Sequence, residues 1–114
     1  MNVNVVNMYK VGGKYKNFIK DNSCYIYMGR GQGNTNGLYN PWEMKDKSDE
    51  ERNRVCDLFQ NSFDSSDTLK NTANKLYRFC LDENFEDMNL MCFCSPKRCH
   101  CDTIKNYLIN KNIE

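Results

Sequence analysis

Met88-Asn89-Leu90-Met91-Cys92-Phe93-Cys94-Ser95-Pro96-Lys97-Arg98-Cys99-His100-Cys101-Asp102 is the passage on which the fold turns. Its first half, Met88 to Cys94, is apolar on both faces, as a central strand covered by helices should be. The second half is a short loop braced by Pro96, and Asp102 can cap a helix there. That helix would bury Ile104, Tyr107, Leu108 and the less regular Ile109. A strand that feeds a helix through so short a turn places the chemistry of that turn at the carboxyl edge of a sheet.

The remaining elements are read outward from this strand. Upstream, Ser48-Asp49-Glu50-Glu51 is a capping box, and Val55, Leu58, Phe59 and Phe63 follow on one helical face. Ser65, Ser66 and Asp67 interrupt the pattern and can cap a second helix, where Leu69, Ala73, Leu76 and Cys80 recur. Val3, Val5, Val6 and Met8 form a β-branched run before Gly12-Gly13, and Cys24 to Met28 forms another, halted by Gly29. Residues Tyr15 to Asn22 read as an irregular loop or a hairpin arm. Gly29 to Gly37 carries four glycines and must be a loop, and Pro41 disfavours helix at Asn40. Strands separated by helical segments predict an α/β fold. The expectation is a single-domain sandwich over residues 1–114. Its small, partly parallel sheet has strands near 2–9, 24–29 and 88–94, packed by about three helices near 49–63, 67–81 and 102–112.

Composition sets the bounds. The chain has 114 residues and a formal charge of +1. Acids and bases are interspersed, so no basic stripe points to nucleic acid as a partner. No apolar run approaches the ~20 residues of a membrane span, and no membrane partner is expected. The start, Met1 to Asn7, lacks the basic and long apolar segments of a signal peptide. The expected location is therefore a reducing cytoplasm, where thiols stay free. Seven cysteines, an odd number with four packed together, also argue against a secreted disulfide framework. Abundant asparagine reads as codon bias in an AT-rich genome, such as that of a virus or its host; for a virus the location is the host cytoplasm.

The Cys/His turn supports three kinds of chemistry. Zinc takes four tetrahedral Cys or His ligands, and Cys92, Cys94, Cys99 and His100 supply such a set, with Cys101 as a further candidate. A reactive thiol is the second, since Cys99 and Cys101 lie beside His100, Lys97 and Arg98 near a helix amino terminus. The third is a small-ligand pocket. Helix amino termini present unpaired N–H groups that suit phosphate or carboxylate, and ligands of open α/β sheets lie beyond the strand carboxyl ends. The loop opened by Gly29 and Arg30 is another such end, with a planar donor fork flanked by glycines. Asn40 and Trp42 complete the set, Asn40 by bonding backbone or a ligand edge and Trp42 as a core, lid or stacking residue.

Three blocks taken in order carry a resemblance. Tyr25-Ile26-Tyr27-Met28-Gly29-Arg30, then Tyr39-Asn40-Pro41-Trp42, then Cys92 to Asp102 resemble a small, functionally uncharacterised domain family of bacteriophages and bacteria. Its pattern runs Y-I-G-R, G-N-P-[FW] and C-W-C-x-P-x-x-C-H-G-D. The resemblance implies a compact α/β domain. It carries over Gly29, Arg30, Asn40, Pro41, Cys92, Cys94, Pro96, Cys99, His100 and Asp102 as site positions. Two family glycines are replaced here, by Tyr39 and Cys101.

The leading expectation is a small ligand-binding protein for a nucleotide or a nucleotide-derived phosphorylated metabolite, with no cofactor. Gly29, Arg30, Asn40, Trp42, Arg98, Cys99, His100, Cys101 and Asp102 would bind it, and Arg30 and His100 would open onto one hollow. A phage-encoded protein that sequesters a host immune nucleotide signal is the extension of that reading. The alternatives are a zinc-stabilised interaction module and a cysteine-dependent enzyme acting on a nucleotide or sulfur substrate, for which no catalytic set is assigned.

Overall fold

The Met88 run becomes the interior strand of a four-stranded sheet. The computed structural model describes residues 1–112; positions 113 and 114 of the expected domain lie outside the described residues. The strands are β1 (Asn2–Asn7), β2 (Phe18–Lys20), β3 (Ser23–Tyr27) and β4 (Asp87–Cys92), in the order β1-β4-β3-β2. Strand β4 has parallel neighbours on both sides, pairing Val5 with Leu90 and Leu90 with Ile26. β2 pairs antiparallel with β3, so the Tyr15–Asn22 region contains the hairpin arm. Three helices complete the α/β fold: α1 (Asp49–Asp64), α2 (Asp67–Asp82) and α3 (His100–Lys111).

Alternation along the strands assigns the two faces. Val3, Cys24, Ile26, Met88, Leu90 and Cys92 point to the main core. They meet Phe59 and Phe63 of α1, Ala73 and Cys80 of α2, and Ile104 and Leu108 of α3. All three helices therefore pack on one side. On the other, Met8, Tyr27 and Met91 form a smaller cluster with Val6, Val11, Phe18 and Tyr25. The chain after β1, not a helix, covers that face of the central strand, with Met8 and Val11 in the cluster and Gly13 close to the Met91 side chain. Apolar burial is non-directional, so a loop removes Met91 from water as well as a helix would. Further along this face the sheet is polar, and buried Asn89 accepts the Asn4 amide at 2.9 Å.

The three expected strands end two residues earlier than the sequence suggested, at Asn7, Tyr27 and Cys92. Asn7 explains part of this. Its side-chain amide donates to the Phe93 and Ser95 carbonyls at 3.3 and 3.1 Å, and its Oδ1 accepts the Tyr9 N–H at 3.0 Å, closing an Asx turn where β1 would have continued.

Helix starts follow the caps. Ser48 Oγ accepts the Glu51 N–H at 3.2 Å. The Glu51 carboxylate turns instead to the Lys45 N–H and Arg54, and Asp46 takes the Ser48 N–H at 2.8 Å. Ser66 caps α2 through the Leu69 N–H. α3 starts at His100, two residues before the expected 102, with Cys99 as its N-cap. Asp102 is its third residue and accepts the Cys99 N–H at 3.0 Å, so it closes the box from inside the helix. Among the described residues no helix is long and apolar enough to cross a membrane.

Candidate functional site

The carboxyl ends of the parallel neighbours β3 and β4 release their loops on the same edge of the sheet. Between those loops and the first turns of α1 lies a hollow of about 510 Å³. The β3 loop contributes Gly29, Arg30, Asn40, Trp42 and Glu43; the β4 loop contributes Phe93, Cys94 and Arg98, with Cys99 and His100 where α3 begins. Arg52, Val55 and Cys56 of α1 form the remaining wall. Seven of the nine residues expected to bind ligand thus share one hollow. Cys101, which is fully buried, and Asp102, which serves the helix cap, are not among its walls.

His100 ties the site together. Its Nε2 stands 2.9 Å from the Met28 carbonyl and 3.0 Å from that of Leu38. Carbonyls only accept, so Nε2 carries the proton in this arrangement. Burial lowers the pKa of the imidazole despite these carbonyls, which favours the neutral ring. Phe59 packs edge-on against it at 5.0 Å. The ring therefore pins the start of α3 to both ends of the loop leaving β3.

Asn40 has a similar duty. Its amide donates to the Val55 carbonyl and its oxygen accepts the Trp42 N–H, both at 3.0 Å. Of the two roles open to it in the sequence, the structure shows the backbone one. Trp42 is half-buried against the main core while lining the hollow. Gly29 is small because a Cβ there would stand 2.6 Å from the Tyr27 hydroxyl and 2.8 Å from the Phe93 ring. The space at Gly29 is thus filled by the protein's own aromatics, not left open for a ligand.

Three arginines line the walls, and each has an acidic partner. Arg30 donates from Nε to the Asn40 carbonyl and from Nη1 to Glu43, both at 2.9 Å, and its Nη2 has no partner among the described residues. Arg98 pairs with Asp57 at 2.8 Å and reaches Asn53. Arg52 pairs with Asp49 at 2.8 Å, yet its Nε is buried with no hydrogen-bond partner among the described residues. Such a donor costs roughly 1–3 kcal/mol. The acidic partners Glu43, Asp49 and Asp57 are all well exposed, and the Arg30 and Arg98 pairs, exposed on both sides, are worth about 0–1 kcal/mol. An incoming anion can therefore compete with them at small cost.

Sequence reasoning missed Arg52 and Cys56. The signal was present: Arg52 precedes Val55 by three and Cys56 by four positions, so it continues the buried stripe of α1 with a charged residue.

Behind the hollow, the Sγ atoms of Cys92, Cys99 and Cys101 all lie within 4.8 Å of one another, and all three residues are buried. A metal ion could be held there. Cys94 and His100, members of the expected zinc set, stand outside this group: β4 ends at Cys92, Cys94 turns toward the hollow, and the His100 Nε2 is engaged with carbonyls. The Cys101 and Cys99 thiols hold the Cys92 thiol well below its ordinary pKa, helped by the Ser95 N–H at 3.4 Å. Burial pushes Cys101 well above it. Cys99 is drawn down by Cys101, but Cys92 and burial outweigh that and raise it.

The fold and site define a small α/β domain with an arginine-lined hollow at the carboxyl edge of its sheet. The chain belongs to the family described as Domain of unknown function (DUF4326), whose model matches residues 11–110 and so takes in both loops of the hollow. No curated protein matches the chain, and no solved structure matches it.

Proposed function

We propose that the hollow binds a small phosphate-bearing ligand, a nucleotide or a nucleotide-derived metabolite. The observation that carries this reading is the trio Arg30, Arg52 and Arg98 around one cavity, with the buried Arg52 Nε lacking a partner. Charge-assisted bonds from guanidinium forks are the strong contacts for phosphate, and here they converge beside aromatic walls from Trp42 and Phe93 that suit a planar base. His100 and Asn40 position the walls in this scheme; their bonds are to backbone. A binder of this kind would act by withholding its ligand, as in sequestration of a host nucleotide signal by a phage protein. Its seven free thiols suit a reducing compartment such as the cytoplasm.

A thermal-shift panel tests the reading with nucleoside mono-, di- and triphosphates, cyclic nucleotides, inorganic phosphate and phosphate-free nucleosides. Ligand at a hundredfold excess over Kd stabilises by about 2.7 kcal/mol, and each kcal/mol raises Tm by roughly 4–8 °C in a domain of this size. Phosphorylated compounds are expected to give such shifts, and Arg52→Met and Arg30→Ala to reduce them. A panel in which every compound is silent sinks the proposal.

A second reading, a zinc-stabilised interaction module, is favoured by one observation: three buried sulfurs gathered at the turn that joins β4 to α3.

A further inference from the structure

We propose that Cys92, Cys99 and Cys101 form a three-thiolate site for a thiophilic metal ion of the zinc(II) or copper(I) class. This rests on the zinc reading above and replaces the donor set expected from the sequence. The three sulfurs come from the end of β4, the N-cap of α3 and its second residue, so a six-residue loop and one helical turn bring them together. Thiolates bound about 2.3 Å from one ion stand roughly 3.8–4.0 Å apart. Sulfurs already within 4.8 Å of one another reach that spacing by side-chain movements of less than about 1 Å.

The donor chemistry selects the ion. Among the described residues no carboxylate and no imidazole stands within the same distance of the three sulfurs; Asp102 is bonded to the Cys99 N–H, and the His100 Nε2 faces two carbonyls. Hard, oxygen-seeking ions such as magnesium or calcium therefore find no partner here, whereas soft thiolates suit zinc and copper(I). The Ser95 N–H that reaches Cys92 Sγ supplies the outer-shell hydrogen bond that a bound thiolate needs. The close thiol pair Cys24 and Cys80, at 3.3 Å, has no third donor among the described residues and makes no such site. Cys99 is both a ligand in this scheme and a wall of the hollow, so the ion braces the loop that carries Arg98.

The ion binds the sulfurs as thiolates, so thiols that still carry a proton release it on uptake, and binding weakens in acid. The test uses the full-length chain purified without chelator, under reducing conditions. Elemental analysis identifies zinc or copper, and X-ray absorption spectroscopy counts the ligands. The expected result is one ion per chain, three sulfur scatterers at about 2.3 Å and no imidazole scattering. Cys101→Ser should weaken binding by well over the ~10- to 100-fold typical of losing an outer-shell partner, while Cys94→Ser leaves it intact. If Cys101→Ser fails to fold, the absorption spectrum of the unaltered chain still decides the donor set. Imidazole scattering, a fourth sulfur, or loss of the ion in Cys94→Ser overturns this site and leaves the zinc reading standing. A chain that takes up neither zinc nor copper(I) overturns both.

Discussion

Single side chains decide how the hollow is held open. His100 gives its one Nε2 proton to two carbonyls on a different loop, and no other imidazole exists in the chain to substitute for it. His100→Ala leaves both carbonyls buried and unpaired, and should cost roughly 2–6 kcal/mol in urea unfolding, at about 1–3 kcal/mol for each unsatisfied buried group. Asn40→Asp removes the donation to Val55 and should shift the loop while leaving the arginines in place. Its expected signature is weaker ligand binding with a stability loss of about 1–2 kcal/mol, read by calorimetry and unfolding of the same samples. At this scale, the sequence disclosed the residue types well and their duties less well. Asn40 and His100 stand out in the sequence as polar residues beside punctuation, yet both spend their hydrogen bonds on backbone. Arg52 was overlooked because an arginine in the charged first turns of a capped helix, with Arg54 two positions on, resembles a solvated position until the helix is rotated onto the sheet.

Elements were more legible than duties. Ser48 and Ser66 mark two helix starts because a side-chain oxygen that accepts a free N–H is a local device needing no tertiary partner. Ser48→Ala should lower stability by about 1 kcal/mol. Glu51 yields a pH dependence. The Arg54 guanidinium, and then the Lys45 N–H, hold its carboxyl at about 2, below the ~4.3 of an unfolded chain. Between those values the unfolded state binds more protons, so the stabilisation is complete above about pH 4.3 and lost as pH falls toward 2. Glu51→Gln should flatten that part of the acid limb in Tm measured against pH; an unchanged limb would remove Glu51 from the account. The third helix start was misplaced by two residues because cysteine is a rare N-cap and Asp102 suits the third helical position as well as the first.

For the whole molecule, β4 is the keystone: among the described strands it alone has parallel partners on both edges, and its residues are buried on both faces. Amide hydrogen exchange should be slowest there and much faster in the short edge strand β2. Leu90→Ala should cost roughly 2–5 kcal/mol, as expected for a fully buried leucine. The charge on the hollow also acts at this scale, so ligand affinity should fall as ionic strength rises, measured by titration in increasing salt. By itself the sequence determined the α/β class, the three helices, three of the strands and the two loops that carry the site. Periodicity, caps and punctuation are properties of neighbouring residues, and local physics reads them directly. Only the tertiary structure decided that all three helices share one face, that Arg52 joins Arg30 and Arg98, and that Cys101 replaces Cys94 and His100 beside Cys92 and Cys99. Those outcomes depend on strand order and on the rotation of each helix about its axis. Both are set by packing between segments far apart in the chain, and no window of adjacent residues encodes that packing.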